Sequence, residues 1–334
     1  MLKFGFGAVP SGPILESVHL AQLGESLGFD MAWIPDQTFY RDPFVVLAMI
    51  AQATRRIRLM LGVANPYSRH PAQIARAAAS VDEVSDGRLS LGYGAGNRKE
   101  LLLPLGLEQT EAGTRCREAV IVTKRLLAGE TVRHRSATLV ADGIHLLLPP
   151  RPGLRVYLAG RGPYILRAAG EAADGVIIGG LVSPEGLRYA LNQVNEGLAT
   201  REPRPHDFEV ISWVSCYLTD DREATIASLK PNVAHIIGGA PLEVLRVIGL
   251  QEERITLLKQ AYMRGGPAGA APLVTRAEVD LLTIVGDAAA CRTRIQALAD
   301  AGVHQVGMLL TQPNPDARQD FLRRFAREVM PGFT

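Results

Sequence analysis

Cysteine is scarce in this chain of 334 residues: Cys116, Cys216 and Cys291 are far apart and odd in number. A disulfide framework is thereby excluded, and the spacing matches no metal site, so small buried thiols in a reducing cytoplasm are expected. An excess of charge of one sign is missing too, with 36 Lys and Arg against 34 Asp and Glu. Near-neutrality argues against a global field for nucleic acid or an anionic membrane. No apolar run reaches the roughly 18 residues that cross a bilayer. The start "MLKFGFGAVP" lacks the charged-then-apolar order of an export signal, so neither export nor insertion is expected. Aromatic residues are few, at 6%, yet hydrophobic residues reach 47%, ample for one large core or two modest ones.

Short apolar or β-branched runs alternate with longer helical patterns, the rhythm of a parallel sheet. Strands are expected near 3–8, 30–34, 57–63, 89–94, 155–159, 175–179, 208–218 and 303–310. Helices fit at 13–27, 43–54, 71–86, 110–128, 163–173, 184–199, 221–229 and 287–301, with a closing one at 315–329. Eight β-α units in series predict a TIM (β/α)8 barrel occupying 1–334 as a single domain, ahead of a doubly wound open sheet. Two stretches exceed a minimal barrel. Residues 131–148 alternate around Ala141-Asp142-Gly143 as a β-hairpin excursion. Residues 230–282, with "MRGGPAGAAPL", are expected to form a mobile surface insertion near the mouth.

Barrel chemistry sits in the loops after the strands. There the chain places Pro35-Asp36-Gln37, Gly62-Val63-Ala64-Asn65-Pro66, Gly94-Ala95-Gly96-Asn97, Gly160-Arg161-Gly162-Pro163 and Gly179-Gly180. Any one of these could be a tight turn; five together exceed what turning requires. In the loop at 160–163, small residues allow close backbone approach, Pro163 suits a first helical position, and free N–H groups at a helix start attract phosphate. Arg161 could add a charge-assisted contact, with an ordinary helix start as the equal alternative. "GYGAGN" departs from G-x-G-x-x-G spacing and follows the fourth strand, so a dinucleotide fingerprint is set aside.

"WIPD", "GVANPYSRHP", "SVDEVSDGRLSLGYGAG", "VYLAGRGP", "AADGVIIGG" and "TIVGDAAACRTRIQALADAGVHQVGM" together resemble the bacterial luciferase-like superfamily. The resemblance is to its methylenetetrahydromethanopterin reductase-like branch, which uses the deazaflavin coenzyme F420, and it extends over nearly the whole chain. It implies that the third strand ends in a bulge with a cis peptide, here Gly62-Val63, backing the cofactor ring. It implies that Asp36 borders the deazaflavin and that Asn97 lies near the ring. Gly160, Arg161 and Gly162 would form the phosphate loop, with Gly179 and Gly180 sharing that phosphate. Arg69 and His70, beside Pro71, suit a structural helix start. A homodimer is implied as well.

Departures from the family pattern narrow the chemistry. Gln37 and Asn97 stand where the sugar-phosphate dehydrogenases carry a histidine and a glutamate, and neither amide is a general acid or base near neutrality, which disfavours alcohol oxidation. Gly7 stands where the pterin reductases carry a carboxylate near the end of the first strand. What remains is hydride transfer to a small organic substrate, with the protein supplying position and shielding. Phe39, Tyr40, Tyr67 and Tyr93 could line an aromatic pocket, with Tyr40 or Tyr67 as the proton donor. The alternatives are an FMN-dependent monooxygenase, separable by its reaction with oxygen, and a non-enzymatic flavin-binding member.

Overall fold

The computed structural model describes residues 1–37, 39–148 and 150–333. In chain order its strands are β1 (Lys3–Gly7), β2 (Met31–Ile34), β3 (Arg58–Ala64), β4 (Leu89–Tyr93), β5 (Val132–Arg135), β6 (Val140–Ile144), β7 (Arg155–Gly160), β8 (Gly175–Gly179), β9 (Glu209–Val214), β10 (Cys216–Leu218), β11 (Ile284–Gly286) and β12 (Gln305–Leu309). Eight of them, β1-β2-β3-β4-β7-β8-β9-β12, pair in parallel and close on themselves, the TIM barrel that the alternation predicts. The helices are α1 (Ile14–Ser26), α2 (Pro43–Ala53), α3 (Pro71–Ser85), α4 (Ala112–Leu127), α5 (Pro163–Ala172), α6 (Pro184–Leu198), α7 (Arg222–Gly239), α8 (Leu242–Val247), α9 (Glu252–Ala270), α10 (Arg276–Leu282), α11 (Ala288–Asp300) and α12 (Pro315–Glu328).

Local chemistry starts the helices where the strands end. Proline opens α2, α3, α5, α6 and α12, where its missing N–H has no intrahelical acceptor to lose. Asp42, His70, Ser183 and Asn314 cap four of these with a side-chain acceptor. The fifth, α5, has Gly162 at that position and no side-chain cap. His70 Nδ1 accepts from Ala72 N at 3.1 Å while Nε2 meets Val140 O at 2.8 Å, so the ring joins α3 to the hairpin. Arg69 is paired with Asp42.

The barrel interior is filled by alternate strand residues: Met31, Trp33, Met60, Tyr157, Ile177 and Ile211. The Trp33 ring takes the space beside three glycines. A Cβ on Gly7 would lie 1.8 Å from its Nε1, one on Gly307 1.8 Å from its Cη2, and one on Gly5 3.0 Å from its Cζ3. At the N-terminal end Glu209 receives both Nη1 and Nη2 of Arg58 at 3.2 Å, while Arg58 Nη2 also donates to the Tyr157 hydroxyl at 3.0 Å.

Three expectations are corrected. The 131–148 hairpin exists as β5 and β6, but its turn lies at 136–139. Ser136 Oγ accepts from Thr138 N and Leu139 N there, at 3.1 and 3.0 Å. Gly143, at φ 69°, is instead the extra residue in a bulge between Val132 and Arg133. The seventh barrel strand stops at Val214; the chain then leaves the barrel, and β10 pairs with β11, a strand the sequence reading missed. The 230–282 segment, expected to be a mobile surface stretch, is helical. α7 runs unbroken through Pro231 and buries Leu229, Val233, Ile236 and Ile237, and α9 kinks at Gly266, ahead of Pro267. No helix among the described residues is long and apolar enough to cross a membrane.

Candidate active site

At the C-terminal ends of the strands a cavity of about 360 Å³ opens over the barrel axis. Its floor is apolar: Val63 from β3, Ala159 from β7, Ile177 from β8, Trp213 from β9 and Leu309 from β12. Trp33 supports this floor from within the barrel, its ring edge-on to Trp213 at 5.1 Å. One side of the cavity is polar, built from Arg161, Ser215, Asn232 and His235. A hollow of about 500 Å³ lies at the opposite end of the barrel. Its Lys3, Arg155 and Glu209 already form ion pairs, and barrel chemistry belongs at the strand C-termini.

Val63 reaches the cavity because β3 and β4 change register between Gly62 and Ala64, which leaves it as a bulged residue. The Gly62–Val63 peptide is cis, as the resemblance implies. Gly94 makes room for Val63, since a Cβ there would come within 2.7 Å of its Cγ2. Gly62 itself is buried and is not part of the lining.

Gly160, Arg161, Gly179 and Gly180 all border the polar side. A Cβ on Gly179 would meet nothing within 4 Å, so this backbone faces open space. Gly180 sits at φ 71°, a conformation that favours glycine, and donates its N–H to Trp213 O at 3.0 Å. Gly162 is the N-cap of α5, and without a side-chain acceptor the first amides of that helix stay free of a side-chain partner. Arg161 makes no ion pair among the described residues. Its Nη1 reaches Ile236 O at 3.4 Å, and burial draws its pKa below the ordinary arginine value.

The remaining predicted residues lie elsewhere. Asp36, at the end of β2, is half-buried and outside the lining; burial raises its pKa, against the pull of Arg69. Asn97 caps the single π-helical turn Arg98–Leu102, accepting from Lys99 N and Glu100 N at 3.0 Å each. Tyr40 and Phe39 are exposed. The Tyr67 hydroxyl donates to Thr110 O at 2.7 Å beneath the Arg115 guanidinium. Tyr93 is buried outside the barrel wall against Thr123. The four aromatics therefore do not form one pocket.

Sequence reasoning missed Trp213, Ser215, Asn232 and His235. The first two follow the rule that strand ends carry the site, but the seventh strand was read through to 218. Asn232 and His235 are three apart on α7, inside the stretch whose composition pointed to a loop. Asn232 Nδ2 donates to Ser215 Oγ at 2.9 Å, and His235 Nδ1 meets the Tyr262 hydroxyl at 3.2 Å.

A model of the luciferase-like monooxygenase family matches residues 3–305. A 5,10-methylenetetrahydromethanopterin reductase of Archaeoglobus fulgidus is 30% identical over 334 residues, covering 99% of each chain. An F420-dependent glucose-6-phosphate dehydrogenase of Rhodococcus erythropolis is 28% identical, covering 99% of this chain and 97% of its own. Among solved structures, the coenzyme F420-dependent tetrahydromethanopterin reductase of Methanopyrus kandleri superposes with a TM-score of 0.85 at 26% identity, covering 100% of this chain and 99% of its own. With its barrel and sequence matched from end to end in this way, the chain belongs to the luciferase-like family, in its methylenetetrahydromethanopterin reductase-like branch.

Proposed function

We propose that the chain is a coenzyme F420-dependent oxidoreductase, working as a reductase that delivers hydride to a small organic molecule. The observation that carries this is the division of the cavity into an apolar floor over the barrel axis and a cationic end with, among the described residues, no carboxylate in its lining. A flat ring fits the floor, and an anion fits Arg161, the free amides at the start of α5, and the open backbone at Gly179 and Gly180. When bound, the deazaflavin supplies or accepts the hydride; the chain's own residues position and shield. Val63, Ile177 and Leu309 would hold the ring against the apolar floor and exclude water from it. FMN would fit the same shape, and the F420-dependent relatives favour the deazaflavin.

The amides Gln37 and Asn97 stand where the sugar-phosphate dehydrogenases carry a histidine and a glutamate, and His235, the histidine of the lining, has its Nδ1 on the Tyr262 hydroxyl; this supports the reducing direction. The place a carboxylate would take at the end of β1 is filled by the Trp33 ring, so methylenetetrahydromethanopterin is not assigned as the substrate. We place the enzyme in the cytoplasm as a homodimer, which light scattering near twice 36.0 kDa checks. Oxygen uptake after reduction of the bound cofactor tests the chemistry. An F420-dependent reductase consumes reduced F420 with its substrate and draws little oxygen; brisk uptake with reduced FMN makes the monooxygenase the better reading.

A further inference from the structure

The helical insertion after the seventh barrel strand brings His235 to the same end of the cavity as Arg161, across two elements separated in sequence by more than one barrel unit. Ile236, next to it, ties the elements together. Its carbonyl accepts from Arg161 Nη1 at 3.4 Å, and its side chain is 3.3 Å from where a Cβ on Gly180 would lie. His235 Nδ1 faces the Tyr262 hydroxyl of α9, and no partner is found among the described residues for Nε2. Asn232, one turn earlier on α7, completes a cradle of donors with Ser215. A loop glycine site alone would hold phosphate by backbone and one arginine; this arrangement adds an imidazole.

We propose that His235 is, beside Arg161, the second cationic donor to the phosphate of the bound cofactor, and that it takes up a proton as the anion enters. The proposal rests on the cavity being the cofactor site. The groups facing His235 are Arg161 from the β7–α5 loop, Tyr262 from α9 and Glu100 from the turn after β4, with Lys259 of α9 facing Arg161 from behind. Lys259 also donates to Gly238 O and Ala240 O at 3.3 and 2.7 Å, at the end of α7. Burial holds the free imidazole below its ordinary value against the upward pull of Glu100, and Arg161 adds a smaller push downward. An incoming phosphate adds negative charge to that of Glu100 and raises the value further. Affinity is then greatest below the pKa of the empty site, falls as pH rises toward the pKa of the complex, and levels above it. The phosphodiester of F420 does not titrate near neutrality, so a pH dependence there belongs to the protein.

The test compares binding of F420 with that of its phosphate-free deazaflavin riboflavin analogue, to the full-length protein, between pH 5 and 8. In the wild type, F420 should bind more tightly, with an advantage that declines with pH and a proton uptake visible by calorimetry in buffers of different ionisation enthalpy. His235→Gln should remove about tenfold to a hundredfold of that advantage and its pH dependence, leaving the phosphate-free analogue unaffected. His235→Lys, with a fixed charge, should keep the advantage and lose the pH dependence. If wild-type protein binds neither compound, the cofactor reading fails and the inference with it. If F420 binds with no phosphate-linked proton uptake, or if His235→Gln keeps the wild-type ratio and pH profile, the cofactor reading stands and the role of His235 is overturned.

Discussion

Gly162 separates two effects that usually coincide at a helix start. Its φ of −81° is open to any residue, and a Cβ would come no nearer than 3.3 Å to Pro241 Cγ. Gly162→Asp should therefore cap α5 and hold thermal stability or raise it by a few tenths of a kcal/mol, about 0.3. The same carboxylate would occupy the amides and repel phosphate, so F420 affinity should fall at least about tenfold. Arg161→Ala should lower affinity by a similar factor; unchanged binding in both variants would misplace the phosphate. At the far end of the barrel, burial pushes the Glu209 carboxyl upward, but Arg58 overrides it and holds the pKa down to about 2. A depressed carboxylate pKa stabilises the fold above 4.5, and that contribution is lost as pH falls toward 2. Glu209→Gln should cost about 1–3 kcal/mol at neutral pH, because the half-buried Arg58 loses its charged partner. In acid unfolding series the gap between variant and wild type should close below pH 4; a constant gap would mean packing alone is at stake. Gly160, Arg161, Gly179 and Gly180, which border the cavity, were legible in the sequence because five such loops at strand ends exceed what turning requires and the family resemblance singles out these two. His235 was not, since nothing in a lone histidine says which barrel loop it will face.

Helices α5 and α6 meet through glycine. A Cβ on Gly170 would lie 2.2 Å from Val194 O, and one on Gly197 2.0 Å from Arg167 O. Both obstacles are backbone, which cannot swing aside as a side chain can. Gly170→Ala should lower stability by about 1–3 kcal/mol and, by tilting α5, weaken cofactor binding through a residue distant from the cavity. Calorimetry and titration on the same sample check both; normal stability in Gly170→Ala would show that the helices have room to part. At this scale the sequence was readable wherever period and caps agree, as at α2, where Asp42 and Pro43 mark the start. It misled where a turn signal had another task, as with Gly143 in its bulge, and where small residues sit in a packed helix, as in α9. The split of the seventh strand at Ser215 leaves no mark in hydrophobicity, because β10 is as apolar as the barrel strand before it.

The closure of eight strands was visible because each β-α unit repeats the same alternation, and closure in turn brings loops from distant parts of the chain to one mouth. That convergence could be anticipated for residues at strand ends, but not for those delivered by the insertion, whose packing depends on the finished barrel. The central claim is that the mouth holds a deazaflavin ring over Val63 and Trp213. Both tryptophans of the chain, Trp33 and Trp213, stand at this floor, so their fluorescence reports on it without a label. The most direct measurement is a titration of the full-length protein with oxidised F420 and, separately, with FMN, followed by tryptophan quenching. Saturable quenching by F420 at one equivalent per chain, tighter than by FMN, is the predicted result; no saturable quenching by F420, or tighter binding of FMN, would contradict it.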